Sequence, residues 1–170
     1  MKHSDTLRQQ LSVQRNVLKG QLLDRLRPIL VQTSQTRVLV PRSIATIYSS
    51  NQLMGAECCY CWQWDNPESV RMDVHEIVFS RGSVQGAGDK AMLAIMDRRN
   101  CGFVHQKECH KMAEGGDGRL RAIMYLIRYE GYTNVLRFTR DMSGYVYATD
   151  YARDVNQAWD TINAMMTRPV

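Results

Sequence analysis

The sequence has no long apolar run and little proline or phenylalanine. Its 170 residues include four Pro and three Phe, and no stretch approaches the roughly 20 apolar residues that a membrane-spanning helix needs. The first ten residues are polar and lack the apolar core of a secretory signal, so we expect a cytoplasmic protein without membrane attachment. With 44% hydrophobic and 23% charged residues, the composition excludes collagen-like, low-complexity and disordered classes.

Charge is distributed unevenly along the chain, which carries a net +5. Residues 1–50 carry a net +6, residues 51–118 a net −3 and residues 119–170 a net +2. A basic segment next to an acidic centre suits a protein that contacts phosphates with one part and binds cations with another. Solvated helix faces produce the same distribution, so charge alone does not select a function.

Periodic apolar residues predict helices at both ends of the chain. The first thirty residues carry apolar side chains at helical spacing, namely Leu7, Leu11, Leu18, Leu22, Leu26 and Ile29. We expect this helix to begin at Ser4, to end near Pro28 and to bury its leucines in the core or in a homodimer. Residues 119–129 and a segment from Asp150 also predict helices, whereas residues 134–148 predict a β-hairpin.

Cysteine and histidine are concentrated in the middle of the chain. All five cysteines and three of the four histidines lie between residues 58 and 110. An odd number of cysteines in a chain without a secretory signal argues against a disulfide framework. This clustering therefore favours metal binding.

Two pairs in this segment have the spacing of zinc ligands. Cys58 and Cys61 form a C-x2-C, in which one tight turn presents two thiolates. His105 and Cys109 form an H-x3-C, which we expect to place two ligands on one helical turn. Together they predict a closed, tetrahedral structural Zn²⁺ site.

The other two cysteines leave this ligand set open. Because Cys59 follows Cys58 directly, the sequence leaves open which of the two binds the ion together with Cys61. Cys101 is an alternative to His105 as the third ligand. A cysteine that does not bind zinc is expected to be a buried thiol.

A predicted strand at residues 72–78 lies between the two pairs and carries polar residues toward a cleft. It alternates Val74 and Glu76 with His75 and Ile77. A Gly-rich loop and a short helix at residues 91–96 are expected to follow it. The segment thus has, in order, Cys58/Cys61, His75-Glu76-Ile77-Val78, Asn100 and Cys109-His110.

These elements, in this order, resemble the HNH endonucleases of the His-Me (ββα-metal) finger type, in their zinc-containing form. The resemblance covers roughly residues 56–114 and implies a DNA endonuclease or nickase that hydrolyses phosphodiester bonds with Mg²⁺ or Mn²⁺. It implies that His75 and His110 bind this catalytic ion, with Asp73 as an accessory ligand. It also implies that Asn100 orients the general base or braces the loop.

One position departs from the family pattern. The residue before the Ile-Val pair is usually the histidine that acts as general base, and here it is Glu76. Either Glu76 is the base, or the register shifts so that His75 is the base and Asp73 binds the metal. A third alternative is a zinc module that has lost catalysis and binds nucleic acid or a protein partner.

We therefore expect an α+β fold in three parts. Residues 1–52 form a basic helical arm, residues 53–118 the zinc-stapled ββα-metal core, and residues 119–170 a C-terminal α/β extension with a helix, a hairpin and a helix. Basic residues of both flanks are expected to contact the DNA backbone. Those of the N-terminal helix are Arg8, Arg15, Lys19 and Arg25.

Overall fold

The computed structural model describes residues 4–24, 29–32, 37–40, 56–65 and 72–167. The helices in these residues are α1 (Asp5–Asp24), α2 (Arg81–Val84), α3 (Asp89–Ala94), α4 (Glu108–Ala113), α5 (Gly116–Glu130), α6 (Tyr132–Met142) and α7 (Thr149–Met166). The strands pair antiparallel as β1 (Ile29–Gln32) with β2 (Arg37–Val40), β3 (Ala56–Glu57) with β4 (Trp64–Asp65), and β5 (Met72–Glu76) with β6 (Cys101–His105). The fold is α+β and mostly helical.

Helix α1 begins where the sequence predicts. The Ser4 hydroxyl accepts a hydrogen bond from the Leu7 amide at 3.2 Å, which satisfies one of the free donors of the first turn. The helix ends at Asp24, and Ile29 lies in β1 instead of continuing the helix, so this part of the prediction is wrong. The expected positions Leu26 and Pro28 lie outside the described residues.

The leucine face of α1 packs on the protein's own β5–β6 pair. Leu18 and Leu22 are almost completely buried in a small core with Val74, Phe103 and Met96. Because Val74 and Phe103 are directly opposite each other in the strand register, their side chains point to the same face of the sheet. This burial accounts for the leucine spacing in the sequence.

The other face of the β5–β6 pair belongs to the main core, which the C-terminal helices complete. Tyr125 of α5, Phe138 of α6 and Val155 of α7 are buried there with Phe79. The predicted helices at residues 119–129 and from Asp150 are confirmed as α5 and α7.

The β-hairpin predicted at residues 134–148 is wrong, and so is the α/β character of the extension. Residues Tyr132–Met142 form helix α6, whose buried side chains Val135, Phe138, Thr139 and Met142 recur at helical spacing. The β-branched and aromatic residues of this segment favour a strand locally, but burying one helical stripe against α5 and α7 overrides that preference.

The loop between β5 and β6 is partly helical. The segment expected to be a Gly-rich loop contains the single turn α2, which Ser80 caps by accepting a hydrogen bond from the Ser83 amide at 3.3 Å. The short helix expected at residues 91–96 is present as α3 and begins at Asp89. None of the described helices is both long enough and apolar enough to cross a membrane.

Candidate functional site

The knuckle, which we define as residues 58–62, docks against the outer edge of β6. The Cys59 amide donates to the Phe103 carbonyl at 2.8 Å, and the Trp62 amide closes the turn by donating to the Cys58 carbonyl at 2.9 Å. Trp62 has a φ of +62°, a conformation that is rare for a bulky side chain. The geometry brings the knuckle to the end of β6, where His105 lies.

Cys58, Cys61, His105 and Cys109 come together at this point. Their ligand atoms all lie within 4.8 Å of one another. The Nδ1 atom of His105 lies 3.5 Å from the Cys61 sulfur and 3.3 Å from the Cys109 sulfur. In a tetrahedral site with Zn–S bonds of about 2.3 Å and Zn–N bonds of about 2.1 Å, sulfur and nitrogen lie about 3.6 Å apart. The four residues therefore fit a structural zinc ion.

The ligand set predicted from the sequence is the one that the structure gathers, with one local difference. His105 is the last residue of β6 and Cys109 lies in the first turn of α4, so the pair spans a strand-to-helix turn instead of one helical turn. The alternatives do not join the cluster: Cys59 is buried, and the Cys101 thiol donates to the Ile95 carbonyl at 3.4 Å.

Two thiols of the cluster, Cys61 and Cys109, are harder to ionise than a free cysteine. Burial raises the pKa of Cys109 to about 12, and the adjacent Cys58 and Cys61 add to the shift. Burial also raises the pKa of Cys61. A divalent cation reverses this balance, because it stabilises each thiolate directly. The donor chemistry of the cluster thus suits a bound cation better than free thiols.

Residues of helix α5 contact the knuckle and the residue before it. Arg121 donates to the Tyr60 carbonyl, and its guanidinium lies 5.1 Å from the centre of the Trp62 ring. Glu57, which precedes the knuckle, is buried and bonded by Arg128 at 3.2 Å and by the Tyr129 hydroxyl. Sequence reasoning missed Glu57, because a lone Glu gives no signal until its cation is placed beside it.

A cleft of about 510 Å³ lies along the edge of β5 that pairs with no described strand, which we call the free edge. Residues 73–78 line it, together with Arg15 of α1 and residues of α2, α4, α5 and α7. Asp73, His75, Glu76 and His110, all predicted from the sequence, line this cleft.

His75 and His110 meet in the cleft. Their ring centres are 4.9 Å apart and the rings are nearly perpendicular, at 83°. Burial, and then the adjacent His110 ring, lowers the pKa of His75 to about 4, although a hydrogen bond to the Ala113 backbone opposes the shift. His75 is therefore neutral at neutral pH, the form in which imidazole binds a metal or accepts a proton.

Two imidazoles that share one ion through bonds of about 2.1 Å have their ring centres roughly 4.6 to 5.3 Å apart. The separation of His75 and His110 falls in this range. Asp73 lines the same cleft, but its carboxylate is not close enough to both histidines for the three side chains to bind one ion. The pair can thus hold an ion whose remaining ligands are water or substrate.

Glu76 follows His75 on the strand and so points to the opposite face. Both the Nε and the Nη2 of Arg81 donate to one of its carboxylate oxygens, at 3.2 and 3.1 Å. Arg81 is another residue that the sequence analysis missed, because the turn of α2 is what brings it back to β5.

Asn100 is buried in the loop that follows β5, and its side chain makes four backbone hydrogen bonds. Its carbonyl oxygen accepts from the Val78 and Phe79 amides at 3.0 and 2.8 Å. Its amide donates to the Phe79 and Ile95 carbonyls, both at 2.9 Å. This geometry suits bracing of the loop, one of the two roles implied by the resemblance, and leaves no side-chain group directed at a substrate.

Comparison of the chain with protein-family models, with curated proteins and with solved structures gives no match.

Proposed function

We propose that the protein is a divalent-metal-dependent DNA endonuclease or nickase of the HNH type, which hydrolyses phosphodiester bonds in the cleft along β5. One observation carries the proposal: the β5–β6–α4 unit brings His75 from a strand and His110 from a helix to a ring separation of 4.9 Å. The zinc ligands lie on the knuckle, β6 and α4, so the same unit is fastened by the proposed structural metal.

The residues of the cleft have separable roles in this proposal. His75 and His110 hold Mg²⁺ or Mn²⁺, which when bound polarises the scissile phosphate and stabilises the leaving oxygen. His75 is kept in one orientation by its hydrogen bond to the Ala113 backbone. Asn100 keeps the loop after β5 in place. Glu76 lines the same cleft from the other face of β5 and is the group that accepts the proton of the attacking water.

A second function is favoured by the ion pair at Glu76. Two donors of Arg81 bond to one of the Glu76 carboxylate oxygens, which leaves fewer acceptor sites for the proton of a water molecule. A protein in which this pair never opens is a zinc module that binds nucleic acid or a protein partner without cutting. The absence of Asp73 from the histidine pair points in the same direction.

Incubation of supercoiled plasmid with purified protein distinguishes the two functions. The reactions contain Mg²⁺, Mn²⁺ or EDTA, and the products are separated on agarose. His110→Ala removes one proposed ligand of the catalytic ion, and Lys111→Ala is the matched control, since Lys111 is the exposed neighbour on the same helix. Zinc content and thermal unfolding are measured for every variant.

The endonuclease proposal expects metal-dependent nicking or linearisation that persists in Lys111→Ala and is lost in His110→Ala at unchanged zinc content. Equal cleavage by His110→Ala would assign the activity to a contaminant or to another site. Absence of cleavage by folded, zinc-loaded protein with either ion would favour the binding module.

A further inference from the structure

Arg15 lies on α1, outside the segment that carries the family resemblance, yet it lines the cleft of His75 and His110. Helix α1 is held in place by the burial of Leu18 and Leu22 and by Gln14, whose amide donates to the Leu93 carbonyl at 3.0 Å. The guanidinium of Arg15 is therefore presented to the free edge of β5 by a packed helix.

Arg15 forms a backbone hydrogen bond but no ion pair with any described carboxylate. Its Nη2 donates to the Val74 carbonyl at 3.3 Å, directly before His75. Arg81 and Arg119, which also line the cleft, each have a carboxylate at 3.1 Å, whereas no carboxylate of the described residues lies within ion-pair distance of Arg15. A guanidinium has five N–H donors, so most of those of Arg15 stay available to a ligand.

Arg119, which also lines the cleft, has a second donor without a partner among the described residues. The Nε of Arg119 is buried and has no hydrogen-bond partner among the described residues. The Nη2 of Arg119 donates to the Val78 carbonyl at 3.0 Å. Arg15 thus bonds to the backbone just before His75, and Arg119 bonds to it three residues after His75. Arg15 is partly buried and no described carboxylate lies beside it, a costly arrangement that an anion entering the cleft would relieve.

We propose that Arg15 is a phosphate-binding residue and that a nucleic-acid strand lies along the free edge of β5, with one phosphate on Arg15 and the next contacts toward Arg119. The identity of the anion as a phosphodiester rests on the proposed function. Helix α1 would then contribute a substrate-binding residue to the cleft.

The test measures binding of a labelled DNA duplex and of its single strand over a range of salt concentrations, in the non-cleaving His110→Ala background. Arg15→Gln keeps a donor for the Val74 carbonyl and removes the charge. Arg15→Lys keeps the charge but loses the planar guanidinium, which can donate two parallel hydrogen bonds to one phosphate. Arg153→Ala is the matched control, because Arg153 is exposed on α7, pairs with Asp150 and does not line the cleft.

We expect Arg15→Gln to weaken binding at every salt concentration and to reduce the slope of log K against log[salt] by about 0.9, the value for one phosphate contact. Arg15→Lys keeps the slope, and Arg153→Ala leaves both affinity and slope unchanged. A residue that only fastens α1 to Val74 would give the opposite result, with Arg15→Gln unaltered. The inference is overturned if folded Arg15→Gln binds DNA as tightly and with the same salt dependence as the His110→Ala protein. It is also overturned if the His110→Ala protein binds neither the duplex nor the single strand.

Failure of this inference is distinguishable from failure of the proposed function. If the native chain does not cleave plasmid but Arg15→Gln lowers the slope, the phosphate site stands and the endonuclease does not. If the native chain cleaves and the slope is unchanged in Arg15→Gln, the endonuclease stands and this phosphate contact does not.

Discussion

The imidazole of His110 lies edge-on to that of His75, with 4.9 Å between the ring centres. One residue comes from a strand and the other from the helix that follows the next strand, so the contact depends on the packing of α4 against β6. The cleft is lined by acidic and basic groups, while the knuckle and the turn from β6 into α4 carry the Cys and His ligands. One small unit thus separates a candidate catalytic ion from a candidate structural one.

Adjacent cysteines provide a sharp test of the zinc site. Cys58 and Cys59 are both fully buried, but only the Cys58 sulfur is in the cluster. We expect Cys58→Ala to lose zinc and to unfold the knuckle, since a structural zinc ion supplies folding free energy directly. Cys59→Ala should retain zinc and be destabilised only by the loss of buried sulfur. Zinc content is measured for both variants by atomic absorption, and thermal unfolding by circular dichroism. Equal zinc loss in Cys58→Ala and Cys59→Ala would contradict the ligand assignment.

Asn100 should be essential for stability because its side chain serves four backbone groups of the loop. Replacing it with Ala leaves buried amides and carbonyls without partners, so we expect the free energy of unfolding to fall by about 3 kcal/mol or more. Asn134→Ala is the control, because Asn134 is exposed and makes one hydrogen bond, to the Glu130 carbonyl. Urea unfolding measures the difference. Equal losses in the two variants would mean that the bracing of the loop has little energetic weight.

Two helical glycines should respond to alanine with opposite signs. A Cβ on Gly118 would collide with the Met112 carbonyl oxygen where α5 follows α4, and it would lie 3.2 Å from the Tyr60 ring. Gly20 in α1 has open space around its Cα. We expect Gly118→Ala to destabilise the protein by about 1–3 kcal/mol or more, and Gly20→Ala to stabilise it by up to about 1 kcal/mol. Thermal melts of the two variants give the comparison; a neutral Gly118→Ala would show that α4 and α5 are not in close contact there.

Glu76 should be needed for cleavage and dispensable for folding. Glu76→Gln removes the proposed proton acceptor, and we expect kcat to fall by about 100-fold or more, as for loss of a general base. Glu114→Gln is the matched control, since Glu114 also lines the cleft but is exposed at the end of α4. Steady-state cleavage of a labelled duplex measures both variants at equal zinc content. Full activity of Glu76→Gln would give the role of base to His75 and that of metal ligand to Asp73, the second arrangement that the sequence allows.

Features that depend on local spacing could be predicted from the sequence. The Ser4 cap, the start of α1, the helices α5 and α7 and the four-residue Cys/His cluster follow from periodicity and from C-x2-C and H-x3-C spacing. The hairpin expected at residues 134–148 shows where this reasoning fails. Its residues favour a strand in isolation, but a helix buries Val135, Phe138 and Met142 together.

The amino-acid sequence alone shows which residue types the protein has for metal chemistry and in what order: thiols and imidazoles on either side of a strand predicted at residues 72–78, which in the structure ends at Glu76. Tertiary structure decided which of them meet. It selected Cys58 over Cys59, left Asp73 apart from the two histidines, paired Glu76 with Arg81 and brought Arg15 to the cleft with no described carboxylate beside it. The physical reason is that ion pairs and coordination depend on distances of a few ångströms, and residues distant in sequence acquire those distances only when the helices and strands pack.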